Sequence, residues 1–206
     1  MPQKKSSTKH PIEERTVVLI KPDAVTRGLI GDIIKRFEIR GLKIIALKMV
    51  YPTKEHAAQH YSGSEEWLRG MGQKTLDAFK KYGIDVKKNM GTTDALKIGK
   101  MVQQWNVSYL AGGPVVAMVL EGMHAIPTVR KLVGHTLPIL ADPGTIRGDL
   151  SVDTNTAANI DKRAIRNIVH ASGNESEAEH EIEHWFTPEE IVEYKRSDQD
   201  VMFPRP

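Results

Sequence analysis

The sequence predicts an α+β protein built on one four-stranded sheet with helices on one face. Four short apolar runs rich in β-branched residues alternate with segments of helical periodicity. No internal repeat or low-complexity stretch divides the 206 residues. With 40% hydrophobic and 27% charged residues, the composition is that of an ordinary globular protein and not of a disordered chain.

Charge and composition exclude several classes of function. The chain has no cysteine, which excludes disulfides, thiolate catalysis and cysteine-ligated zinc. The net charge of +3 gives a weak preference for anionic ligands, and no specific nucleic-acid binding is predicted. No apolar run reaches the roughly 18 residues of a membrane span, so no membrane association is expected. Residues 1–12 predict a disordered basic tail of a cytoplasmic protein, followed by one domain at 13–206.

The first half of the domain predicts two strands, each followed by a helix. Residues 16–20 form a β-branched run that Pro22 terminates. Apolar residues spaced at i, i+3, i+4 and i+7 predict a helix from Ile30 that Gly41 ends. A second strand is predicted at 42–50, and Thr53 begins a helix that runs through Tyr61.

The middle of the chain is less regular. Residues 64–111 contain helical patches broken by glycines and predict an inserted pair of helices. The unbroken apolar run at 114–120 predicts the third strand, with a helix at 125–132. Residues 137–148 are rich in proline and glycine and predict an ordered loop, and the polar segment 151–163 predicts a surface excursion that forms a second insertion.

The last elements lead up to and follow a histidine. Residues 165–169 predict the fourth strand, and residues 175–186 predict the last long helix. Ser176 and Glu179 have the spacing of a capping box at its start. Thr187 caps a short terminal helix in the same way.

His170 is the best candidate for a catalytic residue. In the stretch Asn167-Ile-Val-His-Ala-Ser172, two β-branched residues precede the histidine and small residues follow it, so its imidazole stands at a strand-to-helix turn, open to a ligand. Near neutral pH a neutral imidazole nitrogen can attack an electrophile. We expect no comparable setting for the other seven histidines.

Three cations and a hydroxyl indicate what His170 attacks. Lys21, Arg130, Arg147 and Thr136 follow apolar segments or lie in predicted loops, and together they are what a polyphosphate requires. Each alone is better explained as a solvated surface group, and only their joint placement beside His170 favours a phosphate site. The sequence has no P-loop and no protein-kinase signature, so a phosphoryl transfer here must follow another route.

Residues 180–184, His-Glu-Ile-Glu-His, match the H-E-x-x-H motif of zinc metalloproteases. Helical periodicity places His180 and His184 opposite the apolar stripe of the helix, which favours a chance match, with a zinc hydrolase as the alternative. Glu181 lies on the flank. It is either a solvated glutamate or the acceptor of a proton from Nδ1 of His170, which would leave Nε2 free to attack.

Four blocks of the sequence resemble the nucleoside diphosphate kinase family in the family's order. They lie at residues 16–31 (with Lys21-Pro-Asp23), 113–118 (Gly-Pro-Val-Val-Ala-Met), 144–149 (Gly-Thr-Ile-Arg-Gly-Asp) and 167–172. The similarity covers nearly the whole chain apart from the tail and the two insertions. It implies a ferredoxin-like antiparallel sheet, Mg²⁺ carried by the nucleotide phosphates, and a hexamer or tetramer.

The resemblance also implies an activity and its residues. The family transfers the γ-phosphate of a nucleoside triphosphate to a nucleoside diphosphate by ping-pong chemistry through a phosphohistidine, here at His170. Glu181 matches the residue that orients the histidine, and Ser172 matches a supporting hydroxyl. The matches to substrate contacts are Lys21 and Tyr61 for the transferred phosphate, Arg130, Thr136 and Arg147 for the other phosphates, and Asn167 for the ribose.

The chain departs from the family pattern in three places. Gly173 stands where the family usually has an acidic residue. The long segment between Tyr61 and Gly113 leaves Trp67 as a candidate for stacking on the base, with ordinary packing as the alternative. Residues 155–166 lengthen the approach to the last strand. A nucleotide-binding regulatory protein without catalysis is the second hypothesis for the same scaffold.

Overall fold

A four-stranded antiparallel sheet of strand order β2-β3-β1-β4 forms the centre of the computed structural model, which describes residues 12–61 and 63–202. Its strands are β1 (Glu13–Ile20), β2 (Lys43–Val50), β3 (Val115–Met123) and β4 (Val169–Ala171). Each neighbouring pair runs antiparallel, with β2 and β4 at the edges. The predicted α+β fold is confirmed.

The helices lie between and after the strands. In chain order they are α1 (Pro22–Thr26), α2 (Ile30–Ile39), α3 (Lys54–His60), α4 (Glu65–Lys81), α5 (Val86–Met90), α6 (Ala95–Leu110), α7 (Ala125–Val133), α8 (Ile146–Leu150), α9 (Asn155–Ile160), α10 (Glu175–Trp185) and α11 (Gln199–Met202). Two 3₁₀ turns occupy Pro138–Leu140 and Pro188–Glu190. Within the described residues, no helix has the length and apolarity needed to span a membrane.

Both faces of the sheet are covered, so the prediction of helices on one face is wrong. Val18 and Ile20 belong to the apolar cluster beneath α2 and α7, whereas Val17 and Leu19 pack with residues of α3, α6 and α10. All four are fully buried. A strand without a polar side cannot present either face to water, because alternate side chains point to opposite faces.

The helix predictions hold where the amphipathic pattern is regular. The structure confirms α2, α3 and α7 to within two residues, and the Thr53 hydroxyl caps α3 by accepting the backbone N–H of His56 at 3.1 Å. The predicted capping box of α10 is wrong. Asn174, two residues earlier, caps that helix by accepting the N–H of Glu177 at 2.9 Å.

The last strand begins later than predicted. Ile168 has a φ of 56°, and this left-handed backbone keeps residues 165–168 out of the sheet. Strand β4 is therefore Val169–Ala171, and His170 lies inside it instead of just beyond it.

Two segments predicted as irregular contain helices. Arg147 lies on α8 and not in a loop, because Thr145 caps that helix by accepting the N–H of Gly148 at 3.1 Å. The predicted surface excursion at 151–163 contains α9, which packs on α4. Their contact includes a buried hydrogen bond, 3.0 Å long, from the Asn159 amide to the Thr75 hydroxyl.

The inserted segment consists of the predicted two long helices, α4 and α6, with the short α5 between them. It has a small core of its own in Phe79, Met90 and Ile98. The division into one domain with two insertions stays a prediction. The predicted N-terminal tail lies outside the described residues except for Ile12.

The α4–α6 contact requires glycine. A methyl group at Gly72 would overlap the carbonyl oxygen of Ala95, and one at Gly99 would overlap that of Leu68. We expect Gly72→Ala to lower the free energy of unfolding by about 1–3 kcal/mol, because the helix backbones must separate. Chemical denaturation measures this difference. The matched control is Gly70→Ala on the same helix, where no atom lies within 4 Å of the added carbon; equal losses in both variants would contradict the close-contact account.

Candidate active site

His170 points towards α10 because of its register in the sheet. It lies opposite Leu19 of β1, and residues paired across antiparallel strands share a face. That face is the one covered by α10. Nε2, the ring nitrogen farther from the backbone, reaches Oε1 of Glu181 at 2.8 Å and donates a hydrogen bond to it. The predicted contact between the two residues exists, but the assignment of Nδ1 to it is wrong.

Glu181 is held at both carboxylate oxygens. Oε1 accepts from His170, and Oε2 accepts the Ser172 hydroxyl at 2.7 Å. The Ser172 oxygen in turn accepts the backbone N–H of Val17 at 3.1 Å. Glu181 and Ser172 are buried, so this carboxylate has a fixed position relative to β1 and β4. Glu181 is not the solvated residue that the sequence left as an alternative.

His60 is a site residue that the sequence reasoning missed. Its ring meets that of His170 edge to face, with 4.4 Å between centroids. The Trp185 indole N–H donates to Nδ1 of His60 at 3.3 Å, while Nε2 is buried without a hydrogen-bond partner among the described residues. Burial, followed by repulsion from His170 and Lys21, lowers the pKa of His60 well below its ordinary value. The sequence signal was only its position at the end of a helix, beside Tyr61.

Tyr61 follows α3 and packs beside His60 in the apolar cluster under α10, with 4.8 Å between the two ring centroids. Burial, followed by the negative charge of Glu181, raises the pKa of its hydroxyl, which therefore stays protonated at neutral pH. Its carbonyl accepts a hydrogen bond from the Gln103 amide of α6 at 2.8 Å. The inserted helices thus hold the end of α3 that carries His60 and Tyr61.

Lys21 and Asn167 form a buried polar pair. The Lys21 ammonium donates to Oδ1 of Asn167 at 2.7 Å, and the Asn167 amide donates to the Thr136 carbonyl at 3.0 Å. Burial, reinforced by repulsion from Arg147, lowers the pKa of Lys21 to about 7. Asn167, the predicted ribose contact, thus uses its side-chain oxygen to bind Lys21 and its side-chain nitrogen to bind the backbone.

Arg147 binds backbone carbonyls of two segments, the end of α7 and the stretch that leads into β4. Its guanidinium donates to the carbonyl oxygens of Gly134, Asn167 and Val169 at 2.9, 3.2 and 2.6 Å. Burial, followed by repulsion from Arg130, lowers its pKa to about 10, so it stays charged. Because each Nη carries two N–H groups, the terminal nitrogens keep donors for a ligand.

Arg130 and Thr136 lie in the last turn of α7 and in the segment after it, and both are exposed. The Arg130 guanidinium makes no hydrogen bond or ion pair with the described residues, which leaves it open to an anion. Its repulsion of Arg147 indicates that the two guanidinium groups are near each other. The structure thus brings together all the predicted phosphate-binding cations around β4.

The H-E-x-x-H motif does not form a zinc-protease site. His180 is exposed, whereas His184 is half-buried and not solvent-facing as predicted. His184 stacks on His56 at 3.9 Å between centroids and donates to the His56 carbonyl at 3.0 Å. Glu181 turns inward to His170, away from the role of a base beside two zinc-bound histidines.

Comparison with known proteins decides the family. The family model described as nucleoside diphosphate kinase matches residues 14–68 and 80–191. The chain belongs to the nucleoside diphosphate kinase family. Nucleoside diphosphate kinase from Pyrobaculum aerophilum is 51% identical over 180 residues, which cover 87% of this chain and 98% of that protein. The phosphotransferase class expected from the resemblance is confirmed.

Solved structures of family members share the fold. An NDP kinase from Pyrobaculum aerophilum superposes with a TM-score of 0.85 at 49% identity, over 88% of this chain and all of the other. A Borrelia burgdorferi nucleoside-diphosphate kinase, solved as a transition-state mimic with bound vanadate and ADP, gives a TM-score of 0.73 at 36% identity, over 92% of this chain and 96% of the other. The ferredoxin-like sheet implied by the resemblance is thereby confirmed.

Two departures from the family pattern have a structural description. The Gly173 N–H donates to the Glu177 carboxylate at 2.8 Å, and this carboxylate fills the space that a side chain at position 173 would take. Glu177 thus supplies an acidic group at that turn. Trp67 lies on α4, 42% exposed, with its ring against Gly63.

The lowered pKa of Lys21 predicts how stability depends on pH. Between pH 7 and 10.5 the unfolded chain binds a proton at this lysine that the folded protein lacks. Stability from this residue therefore rises with pH in that window, by up to about 1.4 kcal/mol per unit. We expect Lys21→Met to remove this rise in urea denaturation curves from pH 6.5 to 10, with Lys35→Met as the exposed control. Parallel pH profiles for the wild type and Lys21→Met would refute the assignment.

Proposed function

We propose that this protein transfers the γ-phosphate of a nucleoside triphosphate to a nucleoside diphosphate, with Nδ1 of His170 as the carrier. The observation that carries the proposal is the 2.8 Å hydrogen bond from His170 Nε2 to Glu181. A neutral imidazole has one proton, so a proton fixed on Nε2 leaves the lone pair on Nδ1. Membership of the nucleoside diphosphate kinase family supports the same reaction.

The proposed reaction has two half-reactions at one site. In the first, Nδ1 forms a bond to the γ-phosphorus while the bond to the bridging oxygen breaks, and the nucleoside diphosphate leaves. His170 becomes positively charged, and Glu181 stabilises that charge through the Nε2 proton. In the second, a different diphosphate attacks the phosphohistidine and restores the neutral ring. The vanadate and ADP bound to the Borrelia burgdorferi relative support this kind of transfer.

The cations supply the electrostatic part of the reaction. We propose that Arg130, Arg147 and the Thr136 hydroxyl bind the phosphates that stay with the nucleotide. Lys21 and the Tyr61 hydroxyl contact the transferred group. A phosphate beside Lys21 raises its pKa again, so the ammonium is charged where negative charge is present. Catalysis then rests on positioning and charge, as expected when one phosphoanhydride replaces another.

Asn167 has two parts in this scheme. Its contact with Lys21 fixes the ammonium, and the family resemblance assigns it to the ribose. Trp67 remains a candidate for base stacking, which requires that α4 and the nucleotide approach each other.

The described residues beside His170 offer no set of free oxygen ligands for Mg²⁺. They therefore fit an ion that the nucleotide carries and the protein does not hold. Mg²⁺ takes oxygen ligands and keeps several waters. Both oxygens of Glu181 are hydrogen-bonded, and the imidazole of His60 beside it offers nitrogen and not oxygen. We propose that phosphate oxygens and water hold the ion, which would neutralise part of the phosphate charge when bound.

We further propose self-association as a hexamer or tetramer and a location in the cytoplasm, both as the sequence predicts. The edge strand β2 supports self-association, because Leu47 and Met49 on it and Tyr51 just after it are more than half exposed. Light scattering after gel filtration measures the number of subunits.

The decisive test is incubation with γ-labelled ATP. We expect acid-labile, base-stable label on the protein, released by any added nucleoside diphosphate, because phosphohistidine has that chemistry. His170→Ala should abolish labelling, and His180→Ala should retain it. An unlabelled but nucleotide-binding wild type would instead support the catalytically silent regulatory protein.

Glu181→Gln tests the orienting contact. The amide keeps the shape and a hydrogen-bond acceptor but removes the charge that stabilises the imidazolium. We expect kcat to fall by roughly 10²-fold or more with little change in KM, as for other charge-stabilising groups. Steady-state kinetics measures both constants, and Ser172→Ala should lie between wild type and Glu181→Gln. A change confined to KM would show that Glu181 serves binding and not the transfer.

A further inference from the structure

Two imidazoles and one carboxylate meet behind the proposed nucleophile. His60, His170 and Glu181 each offer one ligand atom, and these atoms lie within 4.8 Å of one another. Oε1 of Glu181 is 2.8 Å from Nε2 of His170 and 3.8 Å from Nδ1 of His60. We propose that this group binds Zn²⁺, or a transition-metal ion of similar preference, and that the bound ion blocks phosphorylation of His170.

The donor atoms are those that zinc prefers. Neutral imidazole and carboxylate are common zinc ligands at about 2.0–2.2 Å, and four-coordinate sites keep one position open for water or another ligand. Such bond lengths place ligand atoms about 3.3–3.5 Å apart in a tetrahedron. The two distances from Oε1 of Glu181, 2.8 and 3.8 Å, are each about half an ångström from that spacing. The two histidine nitrogens lie within 4.8 Å of each other, so the rings must approach by up to roughly 1.4 Å when an ion binds. Mg²⁺ requires oxygen donors, so it does not compete for a site made of two imidazole nitrogens and one carboxylate oxygen.

His60 is available as a ligand. Because the Trp185 N–H donates to Nδ1, the lone pair of His60 is on that nitrogen, on the side of Glu181. The bond is long, at 3.3 Å, and Nε2 has no hydrogen-bond partner among the described residues. The His60 side chain is 1% exposed, so a ligand reaches the group from the side of His170, which is 20% exposed.

Inhibition follows from the tautomer of His170 and rests on the proposed function. An ion bound between Glu181 and Nε2 takes the place of the Nε2 proton. That proton moves to Nδ1, so the neutral ring keeps one proton and none is released. Nδ1 then has no free lone pair to attack phosphorus. The ion therefore stops the first half-reaction without touching the nucleotide.

The binding test uses the full chain after chelator treatment, without nucleotide. Calorimetric titration with Zn²⁺ should show one tight site per chain, and Co²⁺ should give the visible absorption bands of a four-coordinate ion. His60→Phe keeps an aromatic edge against His170 but removes the ligand, and Glu181→Gln removes the charge without changing shape. Each should weaken binding by at least about tenfold, as loss of groups around bound metals does. His180→Ala, on the outer face of α10, should leave the affinity unchanged.

The labelling test connects the ion to the reaction. With Mg²⁺ and γ-labelled ATP in excess, micromolar Zn²⁺ should prevent labelling of the wild type, and a chelator should restore it. The residual labelling of His60→Phe should be insensitive to Zn²⁺. Zinc affinity that is equal in wild type, His60→Phe and Glu181→Gln would assign the ion to surface histidines and overturn the proposal. If the chelator-treated wild type accepts no label, the proposed kinase function is refuted instead. The binding test would still decide whether the metal site exists.

Discussion

The buried carboxylate of Glu181 is the constraint on which the rest of the site depends. A charge removed from water is costly unless hydrogen bonds replace its hydration. Here His170 and Ser172 supply them, and Ser172 also binds the backbone of β1. Helix α10 and two strands are therefore tied together at one point. Any movement of α10 changes the charge felt by the His170 ring, so the structural and the proposed chemical roles of Glu181 are inseparable.

The elements that the sequence predicted well are those whose pattern is local. The spacing of their own apolar residues is enough to predict the strand at Val17–Ile20 and the amphipathic helix α2. Helix α9 has no such pattern, and its buried polar contact, Asn159 with Thr75, joins residues far apart in sequence. The left-handed Ile168 is likewise set by its surroundings: its carbonyl accepts the Lys21 N–H at 2.8 Å, across the end of β1.

The site was predictable as a list of residues but not as an arrangement. His170, Glu181, Lys21 and Arg147 stand in recognisable motifs, and the structure brings them together. The ring nitrogen that contacts Glu181 was not predictable, since it depends on the register of β4 against β1. His60 was missed for a related reason. Its importance comes from burial against His170 and Trp185, which the sequence around α3 does not show.

The cations of the site lie close together although their like charges repel one another. Lys21 is buried beside Arg147, which in turn is near Arg130, and the pKa of Lys21 falls to about 7 because this arrangement disfavours its charge. A polyphosphate reverses the balance, since each phosphate oxygen stabilises the charged form of the group it contacts. Binding an anion and charging Lys21 are thus coupled events. At neutral pH Lys21 is only partly charged without a ligand, so a bound phosphate increases the positive charge of the site in the complex where the proposed transfer takes place.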